Sequence, residues 1–173
     1  MCQLLPFWND VFERCGFSEK EIYHVYIARH PVEVAKSQCK RRAVDPEFYV
    51  IGENLIETIS LWFSLTYQAL RSIRADHNIF LLFSDLVSDP KSQVVRLAKF
   101  LDIECSTQAV DAFCNNFVDK NLRRNVTDIK EMSALTKEFP EARELDNQVE
   151  FLALKETVFS EDVQEICKIW LRQ

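Results

Sequence analysis

Two short apolar runs limit what this chain can fold into. Ile22–Ala28 (IYHVYIA) is rich in the β-branched and aromatic residues of a strand. Asn78–Phe83 (NIFLLF) is the unbroken apolar pattern of a strand buried on both faces in a parallel sheet. Nearly everything around them reads as helix. Residues 3–14 form a short helix stopped by Gly16. Pro31 suits the first turn of a second helix, along which Val32, Ala35, Cys39 and Ala43 make an apolar stripe. "RAVDPEFYVIG" reads as a loop turning at Asp45-Pro46. A long helix runs from about Ile51 to Arg74, with Leu55, Ile59, Trp62, Leu70 and Ile73 on one face and Phe63 and Tyr67 on another. "SDLVSDP" reads as a loop, with Asp89 and Pro90 as N-cap and first residue of a helix to Leu101. Further helices are expected at about 106–117, 145–157 and 160–172.

Strands joined through helices pair in parallel, with a right-handed crossover. Two parallel strands are too few to bury themselves. The expected class is therefore α/β but partial, mostly helical with few strands, like the later part of a larger α/β domain. Its open sheet edge calls for a partner chain or an oligomer that completes the sheet.

With 47% hydrophobic residues, 173 residues bury one core, so a single domain over 1–173 is the default. Residues 131–173 hold ten of the 27 acidic side chains and five of the 21 basic ones, which reads as an acidic, solvated helical tail. That balance disfavours sequence-general nucleic-acid binding. No run reaches the ~18 apolar residues of a membrane span, and "MCQLLPFWND" lacks the basic start and cleavage pattern of a signal peptide. The six cysteines have no close pairs, which favours reduced thiols over a metal site or a disulfide framework, in a cytoplasmic setting. No metal is expected.

Glycine is scarce: Gly16 and Gly52 are the two in the chain, against an average of about 7%. A loop that cradles a diphosphate with backbone N–H groups needs glycines for close approach. The segment "YIARHPVEVAKSQCKRR" offers a different anion site. Ligands of open α/β sheets bind beyond the carboxyl ends of the strands, and Arg29 lies there. Ser37 is roughly 9 Å up the following helix, at ~1.5 Å per residue. A phosphate against that flank would take a charge-assisted fork from Arg29 and a hydrogen bond from Ser37. The plain alternative is that Arg29 pairs with Glu33. Lys40, Arg41 and Arg42 read as solvated helix-end charges. His30, between the arginine and the proline, has no assigned role, and His24 and His77 have no metal-binding partners in sequence.

"YIARHPVEVAKS" resembles the second phosphate motif of the sulfotransferase superfamily, a strand–Arg-x-Pro–helix–Ser element that grips the 3′-phosphate of phosphoadenosine phosphosulfate (PAPS). Three further stretches are similar to bacterial-type members in the same order: "LLPFW" (Leu4–Trp8), "FSDLVSDPKSQVVRLAKFLDI" (Phe83–Ile103) and "FVDKNLRRN" (Phe117–Asn125). The resemblance implies a P-loop NTPase-like, three-layer sulfotransferase fold. It implies PAPS, or its product 3′-phosphoadenosine 5′-phosphate, as cofactor, and transfer of a sulfonyl group to a hydroxyl or amine acceptor. Arg29 and Ser37 would hold the 3′-phosphate, and Phe83 would lie beside the adenine unless it is an ordinary core residue. Arg123 or Arg124 would be the family's late basic residue, although the glycine and tryptophan that usually follow are missing.

In the family, the 5′-phosphosulfate loop and the groups that activate the acceptor lie ahead of this motif. These 173 residues show neither, so the catalytic residues are unknown. The chain is expected to be incomplete and inactive alone. A non-catalytic 3′-phosphonucleotide-binding module, or a helical protein-interaction module, is the alternative. The acceptor is not readable.

Overall fold

The computed structural model of the protein describes residues 4–48, 50–116, 119 and 125–170. Helix α1 (Leu5–Arg14) stops at Gly16, whose φ of +87° suits a glycine. Phe17 N–H donates to the carbonyl of Phe12 and Gly16 N–H to that of Glu13, each at 3.0 Å, closing the last turn. Strand β1 (Tyr23–Ala28) follows, then helix α2 (Pro31–Val44), with the proline at its first position.

Helix α3 spans Leu55–Arg71, shorter at its start than the apolar pattern suggests. The reason is local. Gly52 sits at φ +115°, and Asn54 caps the helix by accepting from Glu57 N–H at 2.8 Å. Ile59, Trp62 and Leu70 are buried as the pattern predicts, whereas Leu55 lies in the first turn and is exposed.

Strand β2 (His77–Leu82) pairs with β1 in parallel, with Tyr23 opposite His77 and Ala28 opposite Leu82. The segment after β2 is not the loop expected from "SDLVSDP". Phe83–Ser88 is helix α4, with Asp85 in its first turn, where a negative charge favours the helix. Helix α5 (Pro90–Phe100) starts as predicted, Asp89 accepting from Ser92 N–H at 3.3 Å.

After α6 (Thr107–Asn116) comes α7 (Ile129–Glu138), which the sequence reading passed over. Its signal was present: Asp128 and Glu131 form a reciprocal capping box. Helix α8 (Pro140–Ala153) begins earlier than its apolar run suggested because Pro140 initiates it. Helix α9 (Ser160–Trp170) is the last described element.

The core lies on one face of the sheet. Ala28 and Phe80 join Val32 and Ala35 of α2, Ile59, Trp62 and Leu70 of α3, Leu145, Val149 and Leu152 of α8, and Val163 of α9. The acidic C-terminal residues are thus amphipathic helices whose apolar stripes are buried against the sheet. Burial of each large aliphatic side chain contributes roughly 1.5–3 kcal/mol. Across the sheet, the Phe100 ring of α5 packs edge-on to Tyr23 at 5.6 Å.

Cover on that second face is uneven. Ile79 and Leu81 of β2 are buried, whereas Tyr23, Val25 and Ile27 of β1 are 46%, 42% and 58% exposed. The outer edge of β2 is occupied. Asn78 exchanges backbone hydrogen bonds with Val158 at 3.1 and 2.7 Å, and Arg96 Nη1 donates to the Phe80 carbonyl at 3.1 Å. Among the described residues no strand pairs with the outer edge of β1. No described helix is long and apolar enough to cross a membrane.

Candidate functional site

Arg29 leaves the end of β1 held at three points. Its carbonyl accepts from the Trp62 indole N–H of α3 at 3.0 Å, which fixes the backbone as it turns into α2. Its Nε donates to Glu33 Oε2 at 3.3 Å, one turn up the helix. Its guanidinium lies 4.8 Å from the centre of the Phe83 ring. Glu33 is 2% exposed, so the pair forms in a largely desolvated place. The pairing with Glu33 is the one the sequence offered as the plain alternative. It commits only Nε, and the planar Nη1/Nη2 end can still fork to an anion.

Arg29 lines a cleft of about 350 Å³. Ser37 and Arg41 of α2 line the same cleft, and Leu61, Trp62 and Leu65 give it an apolar wall. Arg29 and Ser37 are therefore brought together. Phe83 is not among the lining residues; it lies under the Arg29 guanidinium at the start of α4. Arg123 and Arg124 fall outside the described residues.

The helix-end basic residues are less free than expected. Lys40 donates to Asn125 Oδ1 at 2.6 Å, Arg42 to the Val50 carbonyl at 2.6 Å and Arg41 to Gln38 Oε1 at 3.3 Å. Lys36 pairs with Glu131 of α7 and donates to the Val126 carbonyl at 3.2 Å. These ties fasten the 125–131 segment to α2.

His30, to which the sequence reading gave no role, is the N-cap of α2. Its Nδ1 accepts from Val32 N–H at 3.2 Å, and the Thr127 hydroxyl lies 3.1 Å from the same nitrogen. This bonding assigns the proton to Nε2, which lies 3.3 Å from Asp146 Oδ2 and 2.8 Å from the Met132 sulfur. Arg143 Nη1 donates to the same Asp146 oxygen at 2.9 Å.

Asp146 is 4% exposed. Burial pushes its carboxyl up to about 7; the neighbouring Glu150 adds to the rise and Arg143 opposes it. The cluster borders a second cavity of about 210 Å³, beyond the last residues of both strands, Ala28 and Leu82. Arg29 and Ala28 line both cavities.

Asp146 and Glu150 lie inside the helix expected at about 145–157, but neither is singled out by the sequence reading, because its late start left out Ala142 and the first turn of the buried stripe. Ala142, Leu145, Val149 and Leu152 form the buried stripe of α8, and a carboxylate inside that stripe was the available signal. His24 and His77 stay apart from this cluster. His24 Nδ1 meets Asn78 Oδ1 at 3.1 Å, and His77 stacks on Tyr23. Among the described residues no group of three or more His, Cys, Asp or Glu is placed to hold a metal ion.

Comparison with protein families matches residues 16–148 to the sulfotransferase domain, a span that holds Arg29, Ser37 and Asp146. No curated protein and no solved structure matches the chain.

Proposed function

The chain belongs to the sulfotransferase family, and from that premise we propose that its larger cleft binds a 3′-phosphorylated adenine nucleotide, PAPS or its product. The observation that carries this reading is the shared wall of Arg29 and Ser37 beside an apolar surface. Arg29 would fork to the 3′-phosphate and the Ser37 hydroxyl would donate one further bond. Arg41 adds positive charge, and Leu61, Trp62 and Leu65 suit a flat base. Phe83 supports the arginine rather than the base. When bound, PAPS supplies an activated sulfonyl group for a hydroxyl or amine acceptor; the residues named here bind and orient its nucleotide end.

Neither glycine serves a phosphate loop. Gly16 ends α1, and Gly52 lies against the backbone of α2 at Gln38. We therefore read these 173 residues as a nucleotide-binding portion of a P-loop-like, three-layer fold that does not transfer sulfonate by itself. Purified chain should release no labelled sulfonate from PAPS onto an acceptor, and measurable transfer would overturn this part. The described cysteines carry free thiols, which suits a cytoplasmic setting.

Calorimetry with 3′-phosphoadenosine 5′-phosphate and with 5′-AMP tests the site. A charge-assisted contact is worth about 1.5–3 kcal/mol, so Arg29→Ala should lose roughly ten- to hundredfold in affinity for the first ligand and little for the second. Equal losses for both, or none, would remove the 3′-phosphate assignment. The exposed Tyr23, Val25 and Ile27 favour a second reading in which a partner chain or a further copy completes the sheet at β1.

A further inference from the structure

We propose that the second cavity is the acceptor subsite, and that it takes a polyol carrying an ammonium group, as in an amino sugar. The proposal rests on the sulfotransferase reading and adds the substrate class. The cavity lies beyond the carboxyl ends of both strands, where open α/β sheets hold ligands. Arg29 stands in the wall it shares with the larger cleft, so an acceptor here would lie next to the nucleotide.

Its lining calls for a hydrogen-bond donor. Ser84 already donates its hydroxyl to Asp85 at 3.1 Å, and the Thr127 hydroxyl is turned to His30 at 3.1 Å. With the Arg29 guanidinium turned to Glu33 and, in the proposed nucleotide complex, to the phosphate in the larger cleft, what the remaining walls offer an incoming group is chiefly oxygen lone pairs. Both partners of Asp146, His30 and Arg143, meet Oδ2, which leaves Oδ1 to accept.

The charges make the preference more specific. Arg29 offsets Glu33 and Arg143 offsets Asp146. Glu150, from the same face of α8, has no such partner among the described residues, so with His30 neutral and Asp146 ionised, as it is above pH 7, the cavity carries about one net negative charge. An ammonium would meet Glu150, and ring hydroxyls would meet Asp146 Oδ1 and the lone pairs of Ser84. A proton released by the ring hydroxyl that meets Asp146 Oδ1 can pass to that oxygen, whose raised affinity for protons suits a general base near neutral pH. A phenol fits poorly, since Ala28, Leu82 and Met132 are the apolar lining residues. The volume of about 210 Å³ suits a single ring.

Saturation-transfer NMR with glucosamine, glucose and 4-nitrophenol tests this on the whole chain. Glucosamine should bind about fivefold tighter than glucose in the wild type, the scale of one partly solvated charge contact. Glu150→Gln should remove that preference while leaving glucose binding unchanged, and 4-nitrophenol should not displace the sugar. Equal binding of the two sugars by the wild type, an intact preference in Glu150→Gln, or displacement by 4-nitrophenol would each overturn the proposal. Glu150 is partly exposed, so the variant should fold; an unchanged urea midpoint verifies it. Nucleotide calorimetry on the same samples separates the two readings. Nucleotide binding through Arg29 without a glucosamine preference refutes the acceptor subsite alone, and loss of the Arg29 effect with the preference intact refutes the nucleotide site alone.

Discussion

Replacing Asp146 by asparagine should change how stability depends on pH. The carboxyl rises from 3.8 to about 7 in the fold, chiefly through burial. Between those values the native state keeps a proton that the unfolded chain releases. Stability therefore falls as pH rises through this window, by about 1.4 kcal/mol per unit, and the loss is complete above pH 7. Three units give a total of about 4 kcal/mol. Asparagine has the same shape and cannot ionise. The free energy of Asp146→Asn relative to wild type should start near zero at pH 4 and climb by about 4 kcal/mol toward pH 8. Urea unfolding followed by far-UV circular dichroism at half-unit pH steps measures it. Taking the difference between the two proteins cancels titrations they share. Repeating it in a His30→Asn background separates the imidazole that meets Asp146 Oδ2. A difference flat to within about 1 kcal/mol, or one that falls with pH, would refute the assignment of a buried, proton-holding carboxyl.

Two other substitutions probe the frame around the cavities. A Cβ at Gly52 would meet the Gln38 carbonyl oxygen at 2.8 Å, at a φ of +115° that side chains rarely adopt. Gly52→Ala should destabilise the fold by about 2 kcal/mol or more in urea titrations, and a neutral result would mean the 50–54 turn is not seated on α2. His30→Ala removes the cap of α2 and should lose about 1–2 kcal/mol, whereas His30→Asn, which can still accept from Val32 N–H, should recover most of it. Equal losses in the two variants would show that capping is not what the imidazole contributes.

Much of this architecture was legible in the chain. Both strands announced themselves by β-branched and aromatic content, and Pro31, Asp89 and Gly16 marked element ends for stereochemical reasons that act within a few residues. Arg29 and Ser37 were legible because a strand end and the helix after it fix their separation. The His30–Asp146 contact was not, since the two residues are brought together by the docking of α8, and no local rule pairs a cap histidine with a carboxylate that far along the chain. Helix α4 was misread because Ser84, Asp85 and Ser88 have turn-forming chemistry. Phe83, expected at the end of the second strand and beside the adenine, instead opens α4 under the Arg29 guanidinium, a neighbour that a sequence pattern does not encode.

The two edges of the small sheet have different fates. At β2 the outward backbone groups of Asn78 and Phe80 are already spent on Val158 and Arg96, so a strand arriving there would first have to break three hydrogen bonds. At β1 no described strand holds the outer edge, and a half-open row of Tyr23, Val25 and Ile27 lies beside it. Growth of the sheet is thereby directional. An added strand extends it on the β1 side, next to Arg29, and a strand parallel to β1 would bring its end toward the cleft that Arg29 and Ser37 line rather than to the far side of the molecule.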